Sequence, residues 1–246
     1  MPIIYLSPST QQANTYVTGG SEEYWMNLLA DELEPWLTSS GIRFSRNTPQ
    51  MTAASSIRAS NAGNYDFHLA LHSNASPDDR YGELQGIIAY YAPNSIKGQK
   101  AAVLIAENLE DIYPFQTPAR AEPTTRLGEV TRTRAPAVLV EIAYHDNVDD
   151  ANWITQNLEQ IAKKLALSMT EYFGLPLVPP MASQTGKVAT QSGNLNIRSY
   201  PSTAGNIISS APNGAVLTVL GQWNNWYTVN YNGAVGFAKS DYIRLI

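Results

Sequence analysis

Strand and helix signals alternate through about the first 175 residues, and this alternation restricts the chain more than any other feature. Ile3-Ile4-Tyr5-Leu6 is a short apolar strand. Ser21-Glu22-Glu23 then opens a segment in which Trp25, Met26, Leu28, Leu29, Leu33, Trp36 and Leu37 recur at helical spacing, until Gly41 stops it. Residues 42–46 alternate as a strand, 55–62 suit a short helix, and 65–71 and 86–91 are further strands. A helical period over 97–113, a buried apolar strand over 137–140 and a long helix over 152–173 complete the series. Repeated alternation of this kind predicts an α/β domain with a mostly parallel sheet and helices on both faces.

The pattern changes at Leu175-Pro176-Leu177-Val178-Pro179-Pro180, which runs into small polar residues and reads as a linker over 176–186. Beyond it no helical period remains. Residues 195–198, 215–220 and 226–231 read as strands, and Asn232-Gly233 is a tight-turn signal before a short strand over 236–238. Several short strands in a small segment predict a small all-β barrel. The chain therefore divides into a domain over 1–175, a linker over 176–186 and a second domain over 187–246.

Two strands of the first domain deliver chemistry to their C-terminal ends. Leu69-Ala70-Leu71 leads into His72, and Ala137-Val138-Leu139-Val140 leads into Glu141. Ligands of open α/β sheets bind at that edge. An imidazole and a carboxylate there suit metal-assisted hydrolysis, with the metal polarising a carbonyl and the carboxylate acting as base. The chain has no cysteine, so any metal is held by imidazole, carboxylate or neutral oxygen, and no disulfide framework exists. The net charge of −5 argues against non-specific nucleic-acid binding. No run approaches the roughly 18 apolar residues of a membrane span. No G-x-S-x-G elbow and no phosphate-binding loop is present.

Leu195-Asn196-Ile197-Arg198-Ser199-Tyr200-Pro201-Ser202, then Gly221, Trp226 and Tyr227, then Gly233 and Gly236, resemble bacterial SH3-like domains. That resemblance implies a module that attaches to the cell wall. Trp226 and Tyr227 are expected in the barrel core, and Trp223 lies at a polar turn.

The first domain resembles the zinc-dependent N-acetylmuramoyl-L-alanine amidases. Leu71-His72-Ser73-Asn74-Ala75 resembles the motif whose histidine binds zinc. Glu23 with Asn27 resembles the motif that supplies a ligand glutamate, with adjacent Glu22 the alternative. Pro136-Ala137-Val138-Leu139-Val140-Glu141 followed by Asp146-Asn147 resembles the motif of the catalytic glutamate. The resemblance implies a peptidoglycan hydrolase that cleaves the amide between N-acetylmuramic acid and L-alanine by a zinc-activated water. Glu23 and His72 would hold Zn2+, and Glu141 would activate the water.

One departure stands out. The family's first strand ends in a third ligand histidine, whereas this chain has Thr10 there, beside Gln11. Thr10, Gln11, His145 or a water are the candidates for the vacant role. His68 is a poor one, because four strand residues separate its backbone from that of His72 by about 13 Å. A peptidoglycan-binding protein with weak or no catalysis is the rival reading. Action outside the cell or in the cell wall is expected. With no signal peptide visible, a phage-lysin-type or non-classical export route is implied.

Overall fold

The computed structural model describes all 246 residues. From the N-terminus the chain forms β1 (Ile3–Pro8), α1 (Glu22–Ser39), β2 (Arg43–Arg46), α2 (Ala53–Ala62), β3 (Phe67–Asn74) and β4 (Ile88–Tyr91). It continues through α3 (Ile96–Glu110), β5 (Arg120–Pro123), α4 (Gly128–Thr131), β6 (Ala137–Tyr144), α5 (Val148–Gln156) and α6 (Leu158–Phe173). The six strands form one sheet in the order β2-β1-β3-β6-β4-β5. The β1–β3, β3–β6 and β4–β5 pairs are parallel, and β4 runs antiparallel to β6.

The two apolar runs become the central strands. Phe67, Leu69 and Leu71 on one face of β3, and His68 and Ala70 on the other, are fully buried. A strand buried on both faces needs cover on both, and a continuous apolar run supplies it with packing partners. Part of that cover is α4, whose Val130 packs on Ala70, Ala137 and Leu139. The expected long helix over 152–173 is two helices. The first ends at Asn157, whose N–H bonds the carbonyl of Ile154 and whose side-chain amide bonds that of Trp153. Asn147 caps the start of α5 by accepting from the N–H groups of Asp149 and Asp150.

Where β3 meets β6 the register slips. His72 pairs with Glu141, but Asn74 pairs with Tyr144, so β6 carries one extra residue. Ala143 absorbs it at φ 57°. This left-handed conformation is costly for a residue with a Cβ, and it is the local signature of a bulge.

The C-terminal strands are β7 (Gln184–Val188), β8 (Leu195–Arg198), β9 (Ile207–Ala211), β10 (Val216–Trp223), β11 (Trp226–Tyr231), β12 (Ala234–Lys239) and β13 (Ile243–Leu245). They form an antiparallel sheet in the order β13-β7-β10-β11-β12-β8-β9. Asn232 and Gly233 both take positive φ, 51° and 82°, and make the two-residue turn that the Asn-Gly signal predicts. Gly236 has no room for a side chain, since a Cβ there would lie 2.7 Å from the Arg198 carbonyl. Val188, Leu195, Ile197, Leu217, Val219 and Val229 form the core. Trp226 is buried, and Trp223 is exposed at its turn.

The chain divides into two compact units. One comprises Ile3–Leu33 and Phe44–Tyr172, and the other Phe173–Ile246 together with Met1–Pro2 and Glu34–Arg43. β7 begins inside the segment read as linker.

Candidate active site

β-strand alternation collects the site on one face of the first sheet. His68, Ala70 and His72 share that face of β3. Ser7 of β1 is in register with Ala70, and Glu141 of β6 with His72, so both side chains project to the same side. α1 starts above this edge. The Glu22 N–H bonds the Asn14 carbonyl and the Glu23 N–H bonds the Gln11 carbonyl, which fixes the first turn.

The carboxylate beside His72 is that of Glu22, not of Glu23 as the motif spacing has it. His72 Nδ1 lies 2.8 Å from Glu22 Oε1. Consecutive helix residues project about 100° apart, so only one of the pair can face the strand. Glu22 is buried and also accepts from Asn14 Nδ2 at 2.6 Å. The Glu23 carboxylate turns back along its own helix toward Asn27 Nδ2, 3.5 Å away.

Gln11 joins this pair. Its Nε2 is 3.4 Å from His72 Nδ1 and 3.5 Å from Glu22 Oε1. Thr10 lines a cavity of about 280 Å3 beside His72, together with Ser7, Ser9, Asn47 and Glu129. His145 is elsewhere. Its Nδ1 lies 3.0 Å from both the hydroxyl and the carbonyl of Ser73, and its ring stacks on Tyr16.

A second carboxylate, which sequence reasoning missed, is built into the cluster. Glu129, on the four-residue helix α4, is buried. Its Oε2 lies 3.0 Å from His72 Nε2, and its Oε1 lies 3.3 Å from His68 Nε2. Ser7 Oγ donates to the same Oε1 at 2.5 Å. The 13 Å between the two histidine backbones is thus bridged by two rings and one carboxylate. A signal existed in the sequence: two histidines at an even spacing on a strand share a face.

The charges follow from this packing. Burial would lower the His72 pKa, but hydrogen bonds to Glu129 and Glu22 overcome it and hold the ring protonated well above the usual imidazole range. Burial would raise Glu129, yet the bonds from His68 and His72 hold it down at about 2. Glu22 is likewise lowered, burial being outweighed by His72. Glu141 differs. Burial raises it to about 7, only partly offset by the His72 charge, and its buried Oε2 meets no hydrogen-bond donor.

A stability test follows. A carboxylate depressed from 4.5 to about 2 stabilises the fold above pH 4.5, and this contribution is lost as pH falls toward 2. For Glu129 the loss is of order 3 kcal/mol. Urea unfolding of the metal-free protein is expected to show a steep fall in stability over that window. A flat profile would contradict the ionised Glu22–His72–Glu129 cluster.

A zinc ion fits here as a reduced donor set. Glu22 and His72 offer a carboxylate and an imidazole already in contact; the Gln11 amide presents its nitrogen to both while its oxygen accepts from Asn14 Nδ2, so it becomes a neutral third ligand only with the amide turned over. The unpartnered Glu141 oxygen is the kind of group a reacting water satisfies. No group of three or more His, Asp or Glu side chains is arranged to share an ion. The set is therefore weaker than one with three such ligands.

Comparison with known proteins agrees with this architecture. The family model for N-acetylmuramoyl-L-alanine amidase matches residues 9–171, and that for the bacterial SH3 domain matches residues 193–244. No curated protein sequence matches the chain. Among solved structures, the amidase AmiC2 of Nostoc punctiforme superposes with a TM-score of 0.63 at 13% identity, covering 70% of this chain and 97% of that one. The catalytic domain of CwlV from Bacillus (Paenibacillus) polymyxa var. colistinus gives 0.63 at 14% identity, covering 72% and 100%. The catalytic domain of the CD27L endolysin, which targets Clostridia difficile, gives 0.58 at 23% identity, covering 70% and 97%. The chain belongs to the N-acetylmuramoyl-L-alanine amidase family, as a peptidoglycan amidase with a bacterial SH3 domain at its C-terminal end.

Proposed function

We propose that the chain hydrolyses the amide between N-acetylmuramic acid and L-alanine with Glu141 as its catalytic base, and that Glu22, His72 and Gln11 hold the zinc ion this family uses. The contact between His72 Nδ1 and Glu22 Oε1 at 2.8 Å, with Glu141 and its unpartnered oxygen in register with His72, carries the reading. Zinc bound there would supply Lewis acidity toward the scissile carbonyl and lower the pKa of attacking water. Glu141 takes the proton of that water as the new C–O bond forms. It then gives the proton to the departing nitrogen of L-alanine as the C–N bond breaks. A carboxyl group near pH 7 is matched to taking up and returning one proton.

The C-terminal domain would raise the local concentration of wall substrate by tethering. Action at the cell wall, outside the cell, follows from that substrate. No helix is long and apolar enough to cross a membrane.

One observation favours a second reading. His72 is already neutralised by two carboxylates, and no second imidazole completes the set. That arrangement suits a wall-binding protein with little or no catalysis. The two readings separate on titrating chelator-treated full-length protein with Zn2+ in the presence of purified peptidoglycan. The amidase reading expects one bound equivalent and the release of free L-alanine amino groups without new reducing ends. Absence of bound zinc and of released amines would leave wall binding alone.

A further inference from the structure

The buried pair behind His72 has no role in the steps above. Glu129 and His68 lie on the far side of the His72 ring from Glu22, with Glu129 in contact with His72 Nε2. Burying a carboxylate is costly unless every lone pair is used. Here the side chain accepts from Ser7 at one oxygen and contacts an imidazole at each. His68 is itself held from behind, its Nδ1 3.0 Å from Ser60 Oγ. The chain Ser60–His68–Glu129–His72–Glu22 is continuous, and its histidines are buried.

A ring held at both nitrogens cannot spin or flip. Glu129 holds the ring at Nε2, on the side opposite Glu22 and Gln11, so the ring edge that carries Nδ1 stays aimed at those two residues. Nδ1 is the nitrogen that faces Glu22 and Gln11. A short helix supplies this constraint because its backbone is anchored apart from the active edge. Val130 packs into the sheet next to Glu129 and fixes the height at which the carboxylate enters.

We infer that Glu129, braced by Ser7 and His68, is the positioning residue that sets the ring orientation of His72. It acts through the His72 ring, which lies between it and Glu22. For metal affinity the inference rests on the reading of Glu22, Gln11 and His72 as ligands. For the ring itself it does not.

Both arms use the full-length protein. In the metal-free wild type, nitrogen-15 spectra of the histidine rings are expected to show a slowly exchanging His72 Nε2–H. In Glu129→Met, which keeps bulk without an acceptor, that proton is expected to exchange freely. In Glu129→Gln the amide oxygen restores part of the protection. Zinc affinity is expected to fall roughly 10–100-fold in E129M, with partial recovery in E129Q. A merely structural role would lower thermal stability and leave both ring exchange and zinc affinity of the folded protein unchanged. That result would overturn the inference, as would a freely exchanging Nε2–H in the wild type. The wild-type spectrum decides the matter even where neither variant folds. Absence of zinc binding by the wild type would remove the ligand reading and leave the ring spectra to decide on Glu129.

Discussion

Glu141→Gln is expected to lower the rate of amide hydrolysis by about 10²–10⁴-fold, the range of a lost general base, while zinc content stays at the wild-type level. The amide side chain fills the same volume at the end of β6 and cannot accept a proton at neutral pH. Because Glu141 lies in register with His72 but makes no hydrogen bond to it, the substitution spares the Glu22–His72 contact. The substitution also removes a group whose pKa is raised to about 7 from its ordinary value. Such a group stabilises the fold fully below its unfolded pKa and loses that contribution as pH rises through about 7. The variant should therefore be no less stable than the wild type above pH 7, which thermal unfolding measures. Hydrolysis at a normal rate in E141Q would dismiss Glu141 as the base.

The second large effect separates two neighbouring glutamates. Glu22→Gln is expected to abolish stoichiometric zinc binding and with it the activity, whereas Glu23→Gln should keep both within about twofold. Glu22 is buried with His72 as its partner, so neutralising it removes an anionic ligand and leaves a buried imidazolium short of one counter-charge. Exposed or half-buried charges such as Glu23 are worth little by comparison. Equilibrium dialysis against zinc, followed by an assay on purified peptidoglycan, distinguishes the pair. The opposite ranking would return the ligand role to Glu23.

Much of this architecture was legible in the chain because the signals were long. Unbroken apolar runs gave β3 and β6, and the residues at their ends, His72 and Glu141, came with them. Asn-Gly marked the β11–β12 turn through its backbone preference. Some short elements were not legible, although β2 and β8, also four residues each, were. β5 and α4 are four residues each, and three of the five residues of β9 are serine or alanine, so none carries a period. Glu129 was hidden for that reason. Its role depends on α4 folding back over a strand that lies 61 residues away for His68 and 57 for His72. The choice between Glu22 and Glu23 turned on helix phase, which a motif read to the nearest residue does not resolve. Gln11 came to the site through a loop whose carbonyl caps the start of α1, a contact that no local pattern announces.

The carboxylates on either side of His72 bear on the order in which the protein assembles. Sites made of clustered anionic side chains resist closing until a cation arrives, and folding then waits on metal supply. Here the protonated ring stands between Glu22 and Glu129 and supplies the positive charge itself. If zinc binds as proposed, folding would come first and ion capture second, with the imidazole giving up a proton in exchange.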